Sequence, residues 1–255
     1  MKILGIDSSG LVAATALMSD CIVTAEYQIH NKKTHSQTLM PMISEMMSMA
    51  DVKPEELDAI AVSEGPGSFT GLRIGASIAK GLAWTLKIPI VPVSSLMGLA
   101  VNVEMPGQIV CPIMDARRNQ VYTGIYSFVP KKESEDSEHG QMKYAFQVIR
   151  VQMAVSVEDL IRRLNIYGRR VVFLGDGVPV YRKMLEKGLK VPYFFAPSYL
   201  NRQRAAVVGA LGIRYFKMGR YETAAEHKPD YLRVSQAERE RAAKEKNAAP
   251  EIRRM

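Results

Sequence analysis

The amino-acid sequence predicts an α/β protein of two lobes, each a mixed sheet flanked by helices. Two observations carry that expectation. Apolar runs of strand length alternate with longer stretches of helical period. The order of three strands followed by alternating helix and strand also occurs twice along the 255 residues. Composition permits this: 47% hydrophobic and 24% charged residues are ordinary globular values, and the length suits one large domain or two smaller lobes.

Taken in order, ILGID at residues 3–7 is a short apolar run that SSG interrupts. LVAATALMSD and CIVTAEYQIH follow as two further strands of a meander. HSQTLMPMISEMMSMADV reads as a helix, with His35 and Ser36 near its start and Pro41 in its first turns. After the connection KPEELD, AIAVSE is a buried strand, and GPGSFTGLRIG turns it into a second helix reaching about Leu86. KIPIVPVSS is a strand and a turn into a third helix, SLMGLAVNV.

The second half repeats the pattern. IVCPIMDA is a strand, RRNQ turns, and VYTGIYSF is its hairpin partner. PKKESEDSEHGQ has no periodicity and reads as an exposed hairpin tip or loop. MKYAFQVIRVQMAV is a strand; SVEDLIRRLNIYG is a helix with Ser156 as its cap and Glu158 and Asp159 in its first turn. RRVVFLGDG is a strand ending in a tight turn, VPVYRKMLEKG a helix and KVPYFFAP a last strand. A long helix over Asn201–Gly219 and an extended exit, KPDYLRV, complete the folded part. The expected lobes are residues 1–103, completed by the helix at about 201–219, and residues 104–200. Residues 235–255 form a charged tail without an apolar face, expected to be flexible. This order is the layout of a duplicated ribonuclease H-like fold, the actin-like ATPase architecture, which binds nucleotide between its lobes.

Several function classes lose ground at once. No apolar run is long enough to span a bilayer, and MKILGIDSSG does not lead into a signal-peptide pattern. Cys21 and Cys111 lie far apart in apolar settings and read as reduced thiols, which suits the cytoplasm. The net charge of +8 is spread along the chain, partly in the tail. It fits a solvated surface, or a partner that carries phosphates.

The glycine-rich stretch Gly65–Gly75 is neither a Walker loop nor a dinucleotide fingerprint. Only three residues separate Gly67 from Gly71, Leu72 follows, and Thr70 occupies the third glycine's place. Nor does a G-x-S-x-G elbow present Ser68 as a nucleophile. A strand–glycine–helix junction suits an anion, because free amides at a helix start point outward. Glycines equally allow tight packing. Asp7, followed by Ser8 and Ser9, could hold Mg²⁺ through water and cradle phosphate with Gly67 and Ser68; Asp176 in LGDG offers a second such turn. The plainer reading makes both aspartates turn formers. The four histidines show no i, i+4 pair, so a metal hydrolase is not expected, and His35 is expected to cap or pack at a helix start. Finally, the first two helices are apolar over more than one stripe; one face is expected to be buried within the domain, and the surplus predicts a helix–helix interface with another chain.

GPGSFTGLRIG after AVSE, HSQTLMPMI before it, DARRNQVYTGIY and KPDYLR together resemble the bacterial TsaB (YeaZ) family, from Met1 to about Val234. The resemblance implies a cytoplasmic, non-catalytic subunit in the synthesis of N6-threonylcarbamoyladenosine at position 37 of tRNAs reading codons that begin with A. It implies a heterodimer with TsaD, a paralogue of the same fold that binds the metal and the threonylcarbamoyl-adenylate. A small ATPase, TsaE, joins them, and the chain pairs with itself when alone. ATP or ADP with Mg²⁺ at the subunit junction is a further implication. The paralogue's H-x-x-x-H motif falls where this chain has Ser95 and Leu99. On this reading the glycine stretch is a rigid corner placing an interface helix. The interface residues expected are Leu39, Met42, Ile43, Met46 and Met47 on the first helix, and Leu72, Arg73, Ala76, Ala79, Leu82 and Leu86 on the second. Two rivals stand beside it. One is a stand-alone nucleotide-binding hydrolase or protease-like enzyme using Asp7 and the glycine loop. The other is direct RNA binding by Arg117, Arg118, Arg162 and Arg163.

Overall fold

The computed structural model describes residues 1–31, 34–130 and 144–233. The expected loop PKKESEDSEHGQ, apart from Pro130, and the tail 235–255 lie outside the described residues.

The first sheet contains β1 (Lys2–Asp7), β2 (Ala13–Ser19), β3 (Ile22–Ile29), β4 (Ala59–Gly65) and β5 (Ile90–Ser94), in the order β3-β2-β1-β4-β5. The first three strands are an antiparallel meander, and β4 and β5 run parallel to β1. Strand period sorts its side chains into two layers. Leu4 and Ile6 of β1, with Leu17 and Ile60, meet α1 (His35–Met49) and α2 (Phe69–Leu86). Ile3, with Ala14, Ala16 and Ala61, meets α6 (Ala205–Lys217) on the other face.

The second sheet holds β6 (Ile109–Asp115), β7 (Gln120–Pro130), β8 (Tyr144–Ser156), β9 (Val171–Leu174) and β10 (Tyr193–Phe195), in the order β10-β9-β6-β7-β8. Here too a three-strand meander is extended by parallel strands, so the two sheets share one topology. α4 (Val157–Tyr167) and α5 (Gly177–Gly188) cover one face through Leu160, Leu164, Tyr181 and Leu185. α3 (Ser95–Val101) packs on the other through Leu96, Leu99 and Ala100.

Local chemistry sets the element ends. The Ser156 hydroxyl accepts from the Asp159 amide at 3.1 Å, and Gly168 closes α4 in a left-handed conformation at φ 65°. Ser68 caps α2 by accepting from the Gly71 amide at 3.2 Å. At the RRNQ turn Arg117, Arg118 and Asn119 all take left-handed φ, between 56° and 64°.

One expectation shifts. The long helix begins at Ala205 rather than Asn201, because the residues before it cross between the lobes. There the Asn201 carbonyl accepts from Gly175, and the Asn102 side chain holds the carbonyls of Leu200 and Arg202. After α6 the chain returns to the first lobe, where Glu222 exchanges backbone hydrogen bonds with Ile90. No helix among the described residues is long and apolar enough to cross a membrane.

Candidate functional site

A cleft of about 700 Å³ separates the lobes. Its first wall is the SSG turn after β1 and the glycine corner after β4. Its second is the end of β6 and the LGDG turn after β9. The exit segment Asp230–Arg233 closes one side.

Asp7 ends β1 at the base of the first wall. Its Oδ1 accepts from the Ser9 amide at 2.9 Å and the Ser9 hydroxyl at 2.7 Å, and its Oδ2 accepts from Ser63 at 2.6 Å. Burial raises its carboxyl above the ordinary range, and these hydrogen bonds pull partly the other way. Asp7 and Ser8 are buried and do not line the cleft, whereas Ser9, Gly67, Ser68 and Asp176 do. A Mg²⁺ held through Asp7 therefore does not fit: both carboxylate oxygens are engaged inside the protein.

The glycine corner is packed onto that same turn. Ser68 donates its amide to the Ser9 carbonyl at 2.7 Å, and the Ser8 hydroxyl donates to the Gly71 carbonyl at 2.8 Å. A Cβ on Gly67 would overlap the Ser9 carbonyl, and one on Gly71 the Ser8 carbonyl. Of the two readings that glycine allows, close packing is the one realised at both positions. His35 supports the same turn, its Nε2 lying 2.9 Å from the Gly10 carbonyl; it packs there and does not cap α1.

The second wall is an acidic–basic rim. Asp176 accepts from the Asp115 amide at 3.1 Å and is pushed up mainly by burial. Asp115 accepts from the Tyr181 hydroxyl at 2.7 Å and pairs with the exposed Arg117 at 3.4 Å. Arg233 donates to the Ala116 carbonyl at 2.7 Å, tying the exit segment to this wall.

Sequence reasoning missed the exit segment as a structural clamp. The Asp230 amide donates to the Glu64 carbonyl at 2.7 Å. Tyr231 lies 4.6 Å from the Phe69 ring, and Arg73 sits 4.0 Å over that ring while donating to the Tyr231 hydroxyl at 3.3 Å. Gln152 of β8 donates to Asp230 at 2.6 Å and accepts from Ser94 at 2.8 Å, so one side chain joins both lobes and the exit. The signal available was the polar–aromatic run KPDYLR, which has no period of its own.

The expected interface residues divide. Leu39, Met42, Ile43, Met46, Met47, Leu72, Ala76 and Ala79 are all at most 6% exposed in the lone chain, so they belong to its core. Arg73 is exposed, and Leu82 and Leu86 are half-buried. The apolar side chains left exposed on these helices are Met40, Met49 at 77% exposure and Trp84 at 73%; Met40 and Met49 lie on opposite sides of α1. A groove of about 400 Å³ runs between α1 and the connection Asp51–Leu57, past Met40, Met47 and, from α2, Leu82.

A Bacillus subtilis tRNA threonylcarbamoyladenosine biosynthesis protein TsaB is 37% identical over 240 residues, covering 93% of this chain and 96% of that protein. The chain belongs to the TsaB family. The Haemophilus influenzae TsaB is 32% identical over 79% of this chain and 81% of its own length. A family model described as TsaD, tRNA N6-adenosine threonylcarbamoyltransferase, matches residues 23–241. Among solved structures, a Pseudomonas aeruginosa protein described as similar to peptidase YeaZ superposes with TM-score 0.72 at 25% identity. It covers 91% of this chain and 99% of its own. Pseudomonas aeruginosa YeaZ itself gives 0.70 at 24%, covering 91% of this chain and 100% of its own. The two-lobe ribonuclease H-like fold is thus that of the TsaB and YeaZ chains. In this TsaB-family chain Ser95 and Leu99, the positions set against the paralogue's histidines, are buried at the start and middle of α3. Leu99 packs into the core of the second lobe there.

Proposed function

We infer that the chain acts in tRNA threonylcarbamoyladenosine biosynthesis as a subunit that supports, and does not perform, the transfer to adenosine 37. The observation that carries this reading is the near full-length match to TsaB proteins, joined to exposed apolar side chains on α1 and α2. Met49 and Trp84 point away from a core already filled by Leu39, Met46 and Ala79. Apolar area of this kind gains about 25 cal/mol per Å² when a partner covers it. The occupant proposed is a TsaD homologue of the same fold, with a second copy of this chain as substitute when TsaD is absent and TsaE joining the pair. The glycine corner acts as a rigid joint that fixes the angle of α2. A stand-alone hydrolase is less favoured, since Asp7 is enclosed and both its oxygens are hydrogen-bonded.

Reconstitution tests the inference. With TsaD and TsaE homologues, threonylcarbamoyl donor and tRNA, omitting this chain should abolish modification, and light scattering should show a heterodimer. Full modification without the chain would refute the role. ATP turnover by the chain alone, lost in Asp7→Ala, would restore the hydrolase.

A further inference from the structure

We propose that the end of the second lobe remote from the cleft is a surface that binds the phosphate backbone of tRNA. The proposal rests on the pathway reading above, because it takes that pathway's polyanion as the ligand.

α4 and α5 both begin at the cleft end and run away from it. Val157 donates its amide to Asn119, beside the Arg117 turn, and α5 starts at Gly177, next to cleft-lining Asp176. Their far ends are fastened together. Asn165 donates to the Gly188 carbonyl at 3.0 Å and accepts from the Lys190 amide at 2.7 Å. The following loops are drawn to the same edge: Ile109 donates to Arg170 at 2.9 Å, and Val171 to Pro192 at 3.0 Å. Exposed Arg170 after α4 therefore shares this edge with exposed Lys187 and Lys190 at the end of α5; Arg169 beside it is half-buried and donates to the Ser127 hydroxyl at 3.1 Å. Lys183 lies one turn before Lys187 on the same side of α5, and Arg163 one turn before Tyr167 on α4.

Charge neutralisation within the lobe does not account for these groups. Its ion pairs among the described residues use Arg117, Arg162 and Arg182 instead. Glu158 and Asp159 sit in the first turn of α4, at the opposite end, and Glu186 is taken by Arg182. Cations do complement helix C-termini, but two helix ends carry roughly half a negative charge each. Four cations at this edge thus leave a surplus of about three. A protein partner would want an apolar centre, and the large apolar side chains exposed on α4 and α5 are Ile166 and, at the cleft end, Val180. Long exposed cations without apolar anchors suit a sugar–phosphate backbone, which they position without reading sequence. Of the arginines singled out from sequence, Arg117 and Arg162 are engaged with Asp115 and Asp159, and Arg163 borders the cluster on α4.

The test measures binding of a fluorescent tRNA transcript by anisotropy across a salt series. It uses the chain alone and its complex with the TsaD homologue. The variant is Arg170→Glu with Lys187→Glu; Arg170→Gln with Lys187→Gln is its milder form. Lys53→Glu with Lys228→Glu makes the same charge change on the first lobe. The far-end reversal should weaken binding at least tenfold and lower the slope of log K against log salt by about 2. The Gln pair should fall between, and the first-lobe pair should stay within twofold, with melting temperatures unchanged throughout. Wild-type affinity and slope in the far-end reversal would overturn the proposal. So would equal loss in the first-lobe pair, no salt-sensitive tRNA binding by either wild-type form, or tighter binding of a polyglutamate peptide than of tRNA. A modification assay separates the two readings. If tRNA is modified without the chain, the pathway role fails while the binding data still decide this surface. If the chain is required but the far-end variants keep the wild-type KM for tRNA, the surface fails and the role stands.

Discussion

Glu64, next to the last residue of β4, lies beneath the exit segment with its backbone carbonyl bonded to Asp230. Burial, then the carboxylates of Asp230 and Glu222, push its carboxyl from 4.5 up to about 7, with Arg220 opposing. The folded protein thus keeps a proton that the unfolded chain releases near 4.5. Stability should fall as pH rises from about 4.5 through 7, by about 3 kcal/mol in the limit above that window. Glu64→Gln should flatten this stretch of the profile, read as urea midpoints at pH 5 and pH 8; an unchanged pH dependence would remove Glu64 as its source. Gly71→Ala tests the corner. Its new methyl must displace the Ser8 carbonyl, and a loss of about 1–3 kcal/mol in chemical denaturation is expected. A neutral result would mean that the SSG turn yields easily. Sequence could name these glycines but not choose between phosphate cradle and packed joint, because both need a backbone without Cβ.

At the scale of elements, α1 and α2 illustrate how a correct pattern misleads. Their broad apolar arcs were legible, and they predicted two covered sides. One side meets the sheet through Leu39, Met46 and Ala79; on the remaining arc Met47 is buried and Leu82 half-buried, both bordering the groove beside α1. A helix with two intramolecular neighbours needs an arc wider than one stripe, so two-sided apolarity alone does not require a second chain. The residues left over, Met49 and Trp84, are those a partner would cover. Met49→Glu with Trp84→Glu should abolish heterodimer formation in light scattering while leaving the melting temperature within a few degrees. Retained pairing would place the interface on another face. Met46, fully buried, is unsuitable for such a test, since its loss would open a cavity.

Across the whole molecule, α3 joins the lobes by packing on both cores, and Gln152 holds three segments at once: β8, Ser94 ahead of α3, and Asp230 in the exit. Gln152→Ala should leave both sheets intact and speed amide hydrogen exchange in residues 228–233 severalfold, with a stability loss of about 1 kcal/mol. Protection equal to wild type would assign the clamp to Arg233 and the Phe69–Tyr231–Arg73 stack instead.

By itself the sequence determined the elements, their duplicated order and the family. Period-2 and helical patterns report which faces are apolar, and the motif GPGSFTGLR is specific as a string. Only the tertiary structure decided what those faces meet: that Asp7 is enclosed by Ser9 and Ser63, that eight expected interface side chains are core, and that cations from two loops converge behind α4 and α5. The reason is physical. Local pattern encodes the free energy of leaving water, which is the same whichever apolar or polar neighbour fills the space, while the neighbour's identity depends on contacts between residues tens to hundreds of positions apart.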